Sequence, residues 1–275
     1  MTGETPQNYR EHPAVTLSGV IITLNAARHL DQVLAALSQV ADEVVVVDCG
    51  STDATQDIAL RHGARFFHHP WQGYAAQKNY ANTQARGSYI LSLDADEIPD
   101  AKLLQALKGE KAKGFTGVYR INRLPFWCGR PVKHSGWHPD WKIRLFPRHQ
   151  AHWTGGPVHE TLWHEPTLPV HNLPGYLYHF TYESLSEHRA RTRQYARLAA
   201  QRLASLPRSA LYAGLLLKPP IKFLRHFFLK KGFLDGRAGW YIACISALGV
   251  VWRFREALRL KNMSKTCQET PDRGS

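Results

Sequence analysis

Ser88-Tyr-Ile-Leu-Ser-Leu-Asp-Ala-Asp-Glu97 is the stretch on which the fold of this chain turns. A strand-like run, residues 88–93, ends directly in Asp94-Ala95-Asp96-Glu97. A buried strand that finishes in carboxylates must release them into a polar cleft, because an unpaired charge is not tolerated inside a sheet. Two Asp separated by one residue at such an end can share one hard cation, Mg2+ or Mn2+, which prefers oxygen ligands and bridges carboxylates to phosphates. The same letters also fit a solvated acidic turn, or a cap for a helix starting near Pro99-Asp100.

Working towards the N-terminus, residues 74–85 read as a helix ended by Arg86-Gly87, and Arg65-Phe-Phe67 as a short strand. Glu43-Val-Val-Val-Val-Asp48 is a near-continuous apolar strand, turned by Cys49-Gly50-Ser51-Thr52 into a helix over 54–62 that Gly63 stops. Leu17-Ser-Gly-Val-Ile-Ile-Thr-Leu24 is another buried strand, followed over 29–38 by helical spacing of Leu30, Val33, Leu34 and Leu37. Helices alternating with apolar, non-alternating strands predict an α/β fold with a mostly parallel, Rossmann-like sheet covered on both faces. Ligands of such sheets bind outside the carboxyl ends of the strands. Asn25, Asp48 and Asp94 all fall at those ends, so three strands aim polar groups at one rim.

Towards the C-terminus the texture changes. Residues 115–180 are rich in aromatics, His, Pro and Gly, with strand-like pieces at 117–122 and 141–146, and predict an antiparallel half built onto the same sheet. Residues 184–206 are helical and strongly basic. The organisation expected is a catalytic domain over 15–182, a basic helical region over 183–262 and a disordered tail over 263–275.

The 275 residues carry a formal net charge of +13, which calls for an anionic partner: nucleic acid, an acidic membrane surface or phosphorylated small molecules. Cys49, Cys128, Cys244 and Cys267 are far apart, without zinc spacing, as suits reduced thiols. Residues 1–14 lack the apolar core of a signal peptide, so the protein is expected to stay in the compartment where it is made.

At the rim, Asp48 can accept from a base N–H or a ribose hydroxyl, and Thr23 and Asn25 close the first strand beside it. Ser51, Thr52 and Asp53 fit either a donor contact or helix capping equally well. Lys78 can neutralise a diphosphate, or it can be one more solvated lysine on a helix. No Gly-x-Gly-x-x-Gly and no Walker lysine loop is present, which argues against a dinucleotide fold or a P-loop.

Val20-Ile-Ile-Thr-Leu-Asn25, Glu43-Val-Val-Val-Val-Asp-Cys-Gly-Ser-Thr-Asp53 and Leu91-Ser-Leu-Asp-Ala-Asp-Glu97 resemble the successive donor-site motifs of family 2 inverting glycosyltransferases. The resemblance continues through Gln77-Lys-Asn79, Arg144-Leu-Phe146 and Gly156-Pro-Val-His-Glu160. Lys230-Lys-Gly-Phe-Leu-Asp-Gly236 is similar to lipopolysaccharide core biosynthesis glucosyltransferases of the WaaE/KdtX type. The resemblance implies a GT-A fold, a UDP-sugar donor and a divalent cation. It implies that Asp48 contacts uracil, that Thr23 and Asn25 border it, that Asp94 approaches ribose or metal, and that Asp96 holds the ion on the diphosphate. It further implies transfer of glucose to the inner-core heptose of lipopolysaccharide, at the cytoplasmic face of a bacterial inner membrane.

Inversion by single displacement needs a general base for the acceptor hydroxyl. Glu160, after a glycine turn and His159, is preferred, and Asp140, among aromatics in Gly136-Trp-His-Pro-Asp-Trp141, is the alternative. His179 either completes the metal shell or is simply packed. In the tail, Phe223, Leu224, Phe227, Phe228 and Leu229 alternate with Lys222, Arg225, Lys230 and Lys231. The apolar run at 238–252 is shorter than the roughly twenty residues that span a bilayer, and it predicts amphipathic helices lying in the membrane interface. Competing readings are the same chemistry on another lipid-linked or polysaccharide acceptor, a sugar nucleotidyltransferase, or a nucleic-acid-binding protein. The nucleotidyltransferase wants a glycine-rich loop that 23–28 does not supply. A nucleic-acid partner is not expected, because the charge sits beside apolar segments and no such motif is present.

Overall fold

The computed structural model describes residues 16–155 and 160–268. The chain divides into two compact units, Met1–Asn122 with Trp141–Leu177, and Arg123–Asp140 with Tyr178–Ser275.

In the first unit β1 (Leu17–Thr23), α1 (Ala27–Leu37), β2 (Glu43–Asp48), α2 (Thr55–Arg61), β3 (Arg65–His68), α3 (Tyr74–Gln84) and β4 (Tyr89–Asp94) alternate as the hydrophobic runs require. β5 (Glu97–Pro99) and α4 (Ala101–Lys113) follow, with Asp100 capping α4 by accepting the Leu103 N–H at 2.7 Å. α4 continues through Gly109 and ends at Gly114, whose φ is 85°. β6 (Val118–Trp127), β7 (Arg130–Pro131), β8 (Asp140–Pro147), β9 (Ala151–Gly155), β10 (Glu160–His164) and β11 (Val170–Tyr182) complete the strands.

The main sheet runs β3-β2-β1-β4-β8-β6-β11-β5, with β7 paired to β6, and β9 and β10 form a separate hairpin. β1 lies parallel to β2 and β4, and β2 parallel to β3. β8 then joins β4 antiparallel, with Leu91 opposite Leu145. The sheet is Rossmann-like but mixed rather than mostly parallel, because its parallel half is only these four strands. Both faces are apolar, as a doubly covered sheet demands. Leu17, Ile21, Val46, Leu91 and Leu93 point to the α1 side, where Leu30, Leu34 and Leu37 are fully buried. Val20, Val45, Val47 and Ile90 point to the α3 side against Ala81 and Ala85. This register brings Thr23 opposite Asp48, and Ile22 opposite Asp94, at one end of the sheet.

The second unit holds α5 (Leu185–Leu203), α6 (Arg208–Leu224), a π turn at Arg225–Leu229, a 3-10 turn at Gly232–Asp235 and α7 (Arg237–Gln268). Ala200, Leu211, Val250, Phe254 and Ala257 form the core where the three helices meet. Residues 123–140 group with this unit, whereas the sequence expectation divided the chain at 182/183. Trp127 and Val132 pack against Ala238 and Ile242, and a buried carboxylate adds polar ties. Asp235 accepts from the Lys133 and His134 N–H groups at 3.0–3.2 Å and from the Ser135 hydroxyl at 2.8 Å. The Lys230-Lys-Gly-Phe-Leu-Asp-Gly236 motif is therefore an anchor for that excursion.

The tail is also revised. Residues 263–268 continue α7, since nothing from Leu260 to Gln268 breaks a helix; the remainder of the predicted tail lies outside the described residues.

Candidate active site

The carboxyl ends of β1 and β2 are tied by one hydrogen-bond lattice. Asp48 is almost wholly buried, and its Oδ1 accepts from the Thr23 hydroxyl at 2.8 Å and the Ser51 hydroxyl at 2.5 Å. Its Oδ2 accepts the Gly50 and Ser51 N–H groups at 2.9 and 2.7 Å. The turn needs Gly50, whose φ of 112° is in the left-handed region. Burial alone would push the Asp48 carboxyl up, but these hydrogen bonds outweigh it and hold the group below its ordinary range. Asn25, itself at φ 50°, accepts the Thr52 N–H at 2.8 Å, and its own N–H reaches Ser51 Oγ at 2.7 Å.

Of the residues open to a capping reading, Asp53 accepts the Thr55 N–H at 3.0 Å and also the Ala27 N–H at 3.1 Å, which ties the α2 start to α1. Thr23, Asn25, Asp48 and Ser51 are thus brought together. Through its four bonds Asp48 organises the rim.

Lys78 departs most from the bland expectation of a solvated lysine. Its side chain is 2 % exposed, and Nζ lies 2.9 Å from Asp94 Oδ1 and 2.9 Å from Glu160 Oε1. It also sits 4.5 Å from the centre of the Trp153 ring, a cation–π contact. Since the two carboxylate oxygens share one nitrogen, they are at most about 5.8 Å apart. Glu160, at the start of β10, is thereby held beside the end of β4. The rest of the Gly156–Glu160 motif, His159 included, lies outside the described residues.

The residues flanking Lys78 hold α3 in register. Gln77 bonds His69 through ring and carbonyl at 3.0 and 3.2 Å, and Asn79 exchanges two 2.8 Å bonds with the Trp153 backbone.

The sequence reading gives Arg144 no role, yet it completes the site. Its buried guanidinium meets Asp94 Oδ2 at 2.6 Å and also bonds Glu97 Oε1. Burial would lower the guanidinium, but the Asp94 and Glu97 carboxylates raise it well above its ordinary value. Glu97, fully buried, accepts the Asp94 N–H on Oε2 at 3.0 Å. A signal was present in Ile143-Arg-Leu-Phe146: an arginine inside an apolar strand requires a buried acid.

Asp96 lies in the two-residue turn between β4 and β5. With Asp94 it offers an all-oxygen donor set suited to Mg2+ or Mn2+, which are held by one or two carboxylates plus phosphate and water. Among the described residues no three His, Cys, Asp or Glu side chains gather as a ligand group. His179 belongs to the second unit, and its Nδ1 lies 3.2 Å from the Thr181 hydroxyl on the same strand. Asp140 belongs to the second unit, and its Oδ2 is forked by Arg123 Nε and Nη2 at 2.8 and 2.5 Å. Asp140 is thus held in an ion pair with an arginine.

The profile described as Glycosyl transferase family 2 matches residues 18–164, which include every first-unit site residue above. The chain belongs to that family. Among its relatives is the lipopolysaccharide core biosynthesis glycosyltransferase LpsC of Rhizobium meliloti (strain 1021), 29% identical over 256 residues, or 88% of this chain and 94% of the relative. An uncharacterized glycosyltransferase of Rickettsia bellii (strain RML369-C) is 25% identical over 268 residues, 91% of this chain and 88% of that one. Among solved structures, the glucosyl-3-phosphoglycerate synthase of Mycobacterium tuberculosis in complex with Mn2+, UDP and glucosyl-3-phosphoglycerate is 25% identical, with a TM-score of 0.33. The overlap covers 41% of this chain and 44% of that one, less than half of its length and too little to bear on residue roles.

Proposed function

We propose that this family 2 glycosyltransferase moves a sugar, with glucose the expected one, from a UDP-sugar to the inner-core heptose of lipopolysaccharide with inversion. The observation that carries the proposal is the Lys78 bridge, which holds a carboxylate across from the donor rim. Similarity to LpsC along nearly the whole chain supports the acceptor class.

In the reaction Glu160 takes the proton of the acceptor hydroxyl as its oxygen bonds the anomeric carbon, while the bond from that carbon to the donor phosphate breaks and leaves UDP. The proton ends on Glu160 and the electron pair on the diphosphate. Asp96, with Asp94, would hold the divalent ion, which supplies positive charge where the leaving group develops its own. Lys78 and Arg144 fix Asp94 from both sides, so the rim needs little reorganisation when the donor enters.

A UDP-release assay across UDP-sugars, with and without truncated lipopolysaccharide acceptors, tests the proposal. Acceptor-stimulated release is expected, lost on chelation of divalent ions and in Asp96→Ala at unchanged thermal stability. Wild-type turnover in Asp96→Ala would reject the metal assignment.

The same reading places the second unit at the cytoplasmic face of the inner membrane. No helix of the described residues is long and apolar enough to cross a membrane. Yet Leu217, Ile221, Leu224 and Phe228 follow one face of α6 and its continuation, each more than half exposed, beside Lys218, Lys222 and Arg225. An apolar face of this kind edged by cations fits an interfacial helix on anionic lipid. Flotation with phosphatidylglycerol vesicles checks this; a chain recovered wholly unbound at low salt would refute it.

A further inference from the structure

α5 carries Arg189, Arg193 and Arg197 at intervals of four, which places them on one face of the helix. α7 carries Trp252, Arg255, Glu256 and Arg259, again on one face. Two adjoining clefts of about 350 and 270 Å³ lie between these faces, and Arg193, Arg197 and Trp252 line both. The helices approach closely where Gly249 meets Thr192: a Cβ on that glycine would stand 2.7 Å from Thr192 Cγ2.

The charge is lopsided. All five arginines are exposed, and the one carboxylate lining the clefts, Glu256, stands 3.7 Å from Arg259. Among the described residues no carboxylate pairs with Arg189, Arg193, Arg197 or Arg255. Like charges four apart on a helix repel one another, so the repeat costs helix stability unless an anion lies between them. The same helix does place an acid where a pair serves structure, since Glu187 meets Arg191 at 2.9 Å.

The chemistry is selective as well. α5 uses arginine throughout and no lysine, whereas Lys218, Lys222, Lys230 and Lys231 edge the apolar segments. Guanidinium forks bind phosphate oxygens two at a time, which an ammonium does not. A phosphomonoester offers three oxygens and nearly two charges, where a phosphodiester headgroup offers one charge. Trp252 adds a half-buried indole on which a sugar ring can stack.

We infer that this cleft binds the phosphomonoester-bearing saccharide of an anionic glycolipid. The binding stands on the cleft itself; its assignment to the acceptor of transfer rests on the reaction proposed above.

The test uses the full chain and two sets of zwitterionic vesicles with equal surface charge. One set carries an acylated glucosamine disaccharide with two phosphomonoesters, the other phosphatidylglycerol. The wild-type protein is expected to bind the first about tenfold more tightly, a difference of about 1.4 kcal/mol. Arg193→Gln/Arg197→Gln should erase that preference while binding to phosphatidylglycerol stays unchanged, which also shows that the variant folds. Arg255→Gln/Arg259→Gln, on the other helix, should do the same. Equal losses on both vesicle types, or no loss on either, would overturn the inference, and so would full displacement by inorganic phosphate alone. Selective binding without any sugar transfer would sink the proposed reaction and leave the cleft standing.

Discussion

Replacing Lys78 by Met is expected to abolish transfer and to destabilise the protein by about 3–5 kcal/mol, the usual result of removing one partner from a buried ion pair. The side chain is nearly as long, so packing against Trp153 is largely kept and the loss is electrostatic. Asp94 would retain Arg144, whereas Glu160 would lose the contact that holds it at the donor rim. Urea unfolding measures the stability change, and UDP release the activity. A second substitution, Glu160→Gln, should restore part of the lost stability without restoring turnover, because it removes the stranded charge and the base together. An unfolding midpoint equal to wild type in Lys78→Met would show that the bridge does not contribute as argued.

The second large effect is expected from Glu160→Gln in the otherwise native chain. The amide has the same shape and still offers an oxygen to Lys78, so folding and donor affinity should change little. What it lacks is the capacity to take a proton. The expected loss is about 10²–10⁴-fold in kcat, the usual contribution of a positioned general base. Asp140→Asn is the matched control, since that carboxylate is already engaged by Arg123. Single-turnover rates with saturating donor across a pH series separate the two. A fully active Glu160→Gln alongside an inactive Asp140→Asn would reverse the assignment.

These two residues also mark where the sequence is legible. Glu43–Asp48 and Tyr89–Asp94 were readable as strands because both faces of each are buried, so their apolar runs are nearly unbroken. Their terminal carboxylates were readable as a rim because parallel strands end on the same side. Lys78 was ambiguous for a physical reason: a lysine on a helix with little amphipathic pattern looks solvated, and its burial depends on partners 16 and 82 residues away in sequence. Arg144, though part of a quoted motif, had no readable role because β8 joins β4 antiparallel, a pairing that no local pattern in either strand announces. The bounds of the second unit escaped for the same reason, because the contacts of residues 133–135, Asp235 among them, come from far along the chain.

That carboxylate has a consequence in time. Ribosomes add about 5–20 residues per second, so Lys133, His134 and Ser135 emerge roughly 5–20 seconds before Asp235 can receive them. The parallel strands β1 to β4 have by then all been made, while the 133–135 backbone donors still await their acceptor. Nascent chains stalled short of Asp235 are the stage at which a chaperone has most to hold.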